Sequence, residues 1–152
     1  MAGMTRARDL GATTISMLRG EHGRQAAELE KLIEYLAALP RPDVVYLSNA
    51  LLAGMARRLK EALRAPVVCM LQGEHGFLDA LAEPDRAVAW ETIRERARDV
   101  DAFMASSAFY RDLMCERLGL APEKVAVVYN GIDVREYAPA AERPATPVIG
   151  YL

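Results

Sequence analysis

Five short apolar runs, separated from one another by polar or helical stretches, constrain what this chain can fold into more than any other feature of it. They are Thr13 to Leu18 (TTISML), Asp43 to Leu47 (DVVYL), Val67 to Leu71 (VVCML), Asp101 to Ala105 (DAFMA) and Val125 to Tyr129 (VAVVY). Their near-continuous apolar, β-prone character predicts strands buried on both faces. Between them the period changes. Leu29, Leu32, Ile33, Leu36 and Leu39 recur at helical spacing over Arg24 to Leu39, ahead of Pro40 and Pro42. Ser48 or Asn49 can cap a helix through Leu51, Leu52, Met55, Leu59 and Leu63 that Pro66 ends. A longer loop through Pro84 leads to a helix ending near Arg98. Ser107 then caps Ala108 to Leu118, which Gly119 stops. Strand and helix alternating in this way predict an α/β fold, a doubly wound parallel sheet with right-handed crossovers and helices on both faces.

Composition narrows the class. The 152 residues are 52% hydrophobic and 26% charged, which supports one packed domain rather than a disordered chain. A formal net charge of -2 gives no electrostatic reason to expect a nucleic-acid partner. Cys69 and Cys115 lie in apolar segments at no metal-ligand spacing, so buried thiols in a reducing compartment are expected. No apolar run is long enough for a membrane span and the opening MAGMTRARDLG has no secretion-signal core, which points to the cytoplasm.

In a parallel sheet every strand enters its following loop at the same edge, and ligands bind in the crevice outside those carboxyl ends. The segments expected there are rich in polar residues and glycine. They include Glu21 and His22 in LRGEHG, Asn49, Gln72 to Gly76 in LQGEHG, Ser107, and Asn130 with Gly131. The repeated Gly-Glu-His-Gly holds both histidines of the chain and reads as one structural solution used twice. Glycines there allow close backbone approach to a ligand, and helix N-termini offer N–H groups to anions. Glu21, His22, Glu74 and His75 could be combined into a metal site, but there is no third histidine and no metal is expected. Asp99-Val100-Asp101 precedes a strand and therefore points away from the crevice. Dinucleotide, phosphate-loop and nucleophile-elbow fingerprints are absent from the sequence.

The end of the series adds a resemblance. EKVAVVYNGIDVREYAP followed by TPVIGYL, with PDVVYLSN, APVVCMLQGEHGFLD and DVDAFMASSAFYRDLMCERLGL before it, closely resembles group 1 (family 4) glycosyltransferases of the GT-B architecture. The resemblance runs from about Ile15 onward. It implies a Rossmann-like acceptor-side domain over residues 13–137, an interdomain linker over 138–147, and the start of a truncated second domain over 148–152. It also implies retaining transfer of a sugar from a nucleotide-sugar donor to a saccharide or lipid acceptor, with the nucleotide-sugar as co-substrate and no other cofactor. His75, Glu74 and Gln72 would face the transferred sugar. Gly73, Gly76, Ser107, Asn130, Gly131, Asp133, Glu21, His22 and Asn49 would contribute to binding. Many members carry His-Gly directly after the strand that here ends at Leu71; this chain has Gln72-Gly73, with His75 three residues on. Glutamine donates and accepts hydrogen bonds but is no proton-transfer base.

Further expectations follow from the same resemblance. The fragment alone would be inactive, because catalysis needs groups from both sides of the interdomain cleft held in register. The missing C-terminal domain is the principal partner, and peripheral membrane association or self-association through the exposed domain face belong with it. Two other readings share the fold: a GT-B sugar-nucleotide epimerase, and a non-catalytic Rossmann-like binding module.

Overall fold

The computed structural model describes residues 10–135 and Thr146. The expected linker and the VIGYL strand lie outside the described residues.

Four strands form one parallel sheet in the order β1-β2-β3-β4: β1 Val45–Leu47, β2 Val67–Leu71, β3 Ala102–Ala105 and β4 Val125–Val127. The register pairs Leu47 with Cys69, Cys69 with Phe103, and Phe103 with Val125. Around the sheet lie α1 (Gly11–Leu18), α2 (Ala26–Ala37), α3 (Ala56–Leu63), α4 (Glu74–Asp79), α5 (Asp85–Arg96) and α6 (Ala108–Leu118). A 3₁₀ segment, Ala50–Met55, leads into α3. The fold class is the expected one, α/β with a Rossmann-like parallel sheet.

The strand count is corrected from five to four, because Thr13 to Leu18 is helical. Of its buried residues, Gly11, Thr14, Ile15 and Leu18 fall on one helical face, with Ser16 buried beside them, and the helix packs on α5 and on the 3₁₀ segment. The Thr14 hydroxyl donates to the carbonyl of Leu10 at 3.0 Å, so the β-branched residue is satisfied within the helical turn. A second correction is that the loop expected before Pro84 contains α4.

One face of the sheet carries the core. Leu47, Val67, Cys69, Leu71, Phe103, Ala105 and Val125 pack with Leu18, Ala53, Leu59, Leu78, Ile93 and Met114. Of the residues that alternate with them, Tyr46, Val68, Ala102, Met104 and Ala126 are exposed or half-buried and Met70 alone is buried, and Tyr46 is 52% exposed. Among the described residues, then, the covering expected on both faces is present on one. The cause is topological: the strand order steps in a single direction, and right-handed crossovers along such an order bring every connection to the same side.

At the amino ends of β2 and β3 the carboxylate of Asp101 is anchored. Its Oδ2 accepts from the backbone N–H of Val67 at 2.8 Å and its Oδ1 from Lys60 at 2.8 Å. Cys69 and Cys115 are free and buried. No helix among the described residues is long and apolar enough to cross a membrane.

Candidate functional site

The carboxyl ends of β2, β3 and β4 open into a polar cleft of about 410 Å³. Gln72, Gly73 and His75 line it after β2, Ser106 and Ser107 after β3, and Asn130 after β4, with Met70, Phe109 and Tyr110 completing the lining. Gly73 makes the turn: at φ +106° it carries the chain from the strand into α4, a backbone conformation that favours glycine. Ser107 begins α6 in extended conformation, and its Oγ accepts from the N–H of Tyr110 at 3.1 Å. Tyr110 therefore sits one turn into α6, where side chains lean back toward the helix start and so toward the cleft.

Beneath the cleft, Glu74 is buried to 5% exposure and joins three segments. Its Oε1 accepts from the N–H of Ala50 at 2.8 Å, and its Oε2 from the N–H of Gln72 at 2.8 Å and the hydroxyl of Tyr110 at 2.8 Å. The loop after β1, the loop after β2 and the start of α6 are thus fixed to one carboxylate. Its burial is tolerable because charge-assisted hydrogen bonds replace the lost water. Burial first, and then the charge and hydrogen bond of Glu74, push the Tyr110 phenol well above its ordinary range. Burial and the same carboxylate push the Cys69 thiol up to about 12. His75 packs its ring on Tyr110, centroids 5.3 Å apart, with Nδ1 3.3 Å from the phenol oxygen.

The two Gly-Glu-His-Gly stretches are not equivalent, and the expectation that both open at one rim is corrected. LRGEHG follows a helix rather than a strand, which removes it from the carboxyl edge. Glu21 lies 3.2 Å from Arg57 and 3.4 Å from Arg96, and both guanidinium groups also reach Asp99, just ahead of β3. Its carboxyl is lowered: burial acts upward, but a backbone hydrogen bond and the charges of Arg96, Arg57 and His22 outweigh it. The His22 side chain is 68% exposed. The first stretch is a charge cluster beside the entry to β3, and the second is a cleft wall at the exit of β2.

Of the other expected residues, the structure brings together Gln72, Gly73, His75, Ser107 and Asn130. Glu74 lies below them. Asn49 stands one residue before the Glu74 clamp, and its Oδ1 accepts from the N–H of Leu51 at 3.0 Å. Gly76 lies within α4, outside the cleft lining. Gly131 and Asp133 are exposed beyond β4, and Asp133 is paired with Arg135. Tyr110 and Phe109 are lining residues that the sequence pattern did not single out. The signal for them is their place just inside the Ser107 cap.

A second cavity, an apolar groove of about 240 Å³, lies between α1, α2 and the 3₁₀ segment. Six of its nine lining residues are apolar, and of the polar three Ser16 and Gln25 are hydrogen-bonded to each other, which leaves Glu28 alone to meet a sugar hydroxyl. The polar cleft is the candidate site.

The sequence pattern of the family described as Glycosyltransferase Family 4 matches residues 8–136. Among curated proteins, gamma-glutamyl phosphate reductases of Methylorubrum populi and Methylorubrum extorquens are 35% and 36% identical over 85 residues, 56% of this chain. That stretch is 19% of each reductase, so the chain spans about a fifth of the length of these relatives.

Proposed function

We propose, from the premise that this chain belongs to glycosyltransferase family 4, that the cleft at the ends of β2, β3 and β4 is the acceptor-side half of a sugar-transfer site. The observation that carries this reading is the convergence of Gln72, His75, Ser107 and Asn130 on one polar cavity at the carboxyl edge of a parallel sheet. A sugar offers hydroxyls that both donate and accept, and these side chains answer in both senses.

The reaction proposed is retaining transfer from a nucleotide-sugar. The acceptor oxygen bonds to the anomeric carbon, the bond from that carbon to the phosphate oxygen breaks, and the nucleoside diphosphate leaves with the bonding pair. His75 and Gln72 flank the transferred sugar, and the proton of the acceptor hydroxyl leaves on the phosphate side or through His75. The nucleotide is held by a second half-site. Turnover requires both half-sites in register, so the contribution of this half-site is saccharide binding.

Ligand-observed NMR with a panel of mono- and disaccharides tests the binding, and nucleoside diphosphate release from nucleotide-sugars tests the turnover. Saccharide binding that is weakened at least tenfold by His75→Ala or Asn130→Ala, with little change in melting temperature, is expected. Binding that ignores both substitutions, or no saccharide binding at all, overturns the reading.

A further inference from the structure

The hydrogen-bond chain beneath the cleft assigns protons. A phenol has one hydrogen to donate, and the Tyr110 hydroxyl has two neighbours that could take it: Glu74 Oε2 at 2.8 Å and His75 Nδ1 at 3.3 Å. Glu74 already faces two donors whose direction is fixed, the backbone N–H groups of Ala50 and Gln72. One falls on each oxygen, so the carboxylate acts as an acceptor throughout. The shorter, charge-assisted bond takes the phenol proton. What the phenol oxygen offers the imidazole is its lone-pair side, which the backbone N–H groups of His75 and Gly73 also approach, and only a hydrogen on Nδ1 can use it.

We propose that Glu74 and Tyr110 are positioning residues that hold His75 as its Nδ1–H tautomer, leaving Nε2 as the hydrogen-bond acceptor that the ring presents to a ligand hydroxyl in the cleft. Among the described residues Nε2 has no hydrogen-bond partner, and His75 lines the cavity. The ligand class, a polyol or sugar hydroxyl, rests on the proposed acceptor-side role; the tautomer does not. Neither Glu74 nor Tyr110 needs to touch substrate. Their part is to stop the ring from turning a donor N–H where an acceptor is wanted, as the partner on one imidazole nitrogen commonly does for the other.

The chain suits a direct test because it contains two histidines, one in the cleft and one largely exposed. Long-range ¹H–¹⁵N correlation spectra of the ¹⁵N-labelled 152-residue chain at about pH 8, where an ordinary imidazole is neutral, distinguish the tautomers. The expected spectrum shows His75 with the Nδ1–H pattern and His22 with that of a solvent-exposed ring. Tyr110→Phe keeps the aromatic packing and removes the acceptor, and should move His75 to a pattern dominated by Nε2–H. An Nε2–H pattern for His75 in the unaltered chain would mean that Tyr110 donates to the ring, and would overturn the assignment. So would a Tyr110→Phe spectrum that leaves the Nδ1–H pattern in place. Should Tyr110→Phe fail to fold, the unaltered spectrum alone decides. If the tautomer holds and no saccharide binds, the functional reading fails and this inference stands; saccharide binding with the Nε2–H form is the reverse.

Discussion

Gly20 and Gly54 meet backbone to backbone: a Cβ on Gly20 would lie 1.9 Å from the carbonyl oxygen of Gly54. Gly20 also sits at φ +54°, so conformation and space require the same residue there. Gly76, by contrast, lies inside α4 without left-handed backbone, and a Cβ added to it would meet nothing within 4 Å. Gly20→Ala should therefore cost more than about 3 kcal/mol or prevent folding. Gly76→Ala should leave stability unchanged or raise it by about 0.5–1 kcal/mol. Urea unfolding followed by circular dichroism checks both, and a tolerated Gly20→Ala would refute the close approach.

Removing the Glu74 carboxylate takes the acceptor from the buried N–H of Ala50 and the part-buried N–H of Gln72, and leaves the Tyr110 hydroxyl only the His75 ring, 3.3 Å away, to turn to. Glu74→Ala should destabilise the chain by about 3 kcal/mol or more, since each buried unsatisfied group costs about 1–3 kcal/mol. Glu74→Gln, which keeps one acceptor oxygen, should cost less. The difference in urea midpoint between the two variants measures the clamp.

Asp101 gives the fold a defined response to acid. Burial acts to raise its carboxyl, but the hydrogen bonds from Lys60 and the N–H of Val67, with the charges of Lys60 and Lys124, outweigh burial and hold it below the ordinary aspartate value. A carboxyl depressed in the folded state contributes stability that is present above its unfolded value, near pH 4, and is lost as pH falls through the folded value. The stability gap between the unaltered chain and Asp101→Asn should therefore be constant around neutral pH and shrink below about pH 4. Unfolding curves at several pH values would show it, and a gap independent of pH would count against the assignment.

Cys69 is fully buried with its thiol pushed up to about 12, and Cys115 is also buried. Thiolate, not thiol, is the reactive form. Neither should react with an aromatic disulfide reagent at about pH 8 until denaturant is added, when two thiols per chain should appear. Fast reaction of the folded chain would mean that the β2 core opens readily.

Much of this architecture is legible in the sequence, and the reason differs by element. Val67 to Leu71 is a strand on both accounts because five consecutive apolar residues between Pro66 and a glycine loop have few other uses. Ala108 to Leu118 matches because its ends are written by Ser107 and Gly119. Thr13 to Leu18 reads as a strand, wrongly, because Thr13, Thr14 and Ile15 raise β-propensity in a short window. The deciding pattern, Gly11, Thr14, Ile15 and Leu18, becomes visible only when the window extends to Gly11. The same error carries Glu21 and His22 to the wrong end of the molecule, since identical tetrapeptides inherit their location from the element before them. The cleft wall of Gln72, His75, Ser107 and Asn130 follows from strand ends alone. Glu74 cannot be foreseen as a clamp, because its donors lie 24 and 36 residues away as well as beside it, and that proximity is created by the fold.

The one-sided burial of the sheet separates two properties that usually travel together. Leu47, Cys69, Phe103 and their neighbours determine whether the chain folds, whereas Tyr46, Val68 and Met104 have no part in that core. Among the described residues, a substitution at the exposed Tyr46 on this side should therefore tune solubility and adhesiveness while leaving the unfolding free energy nearly untouched.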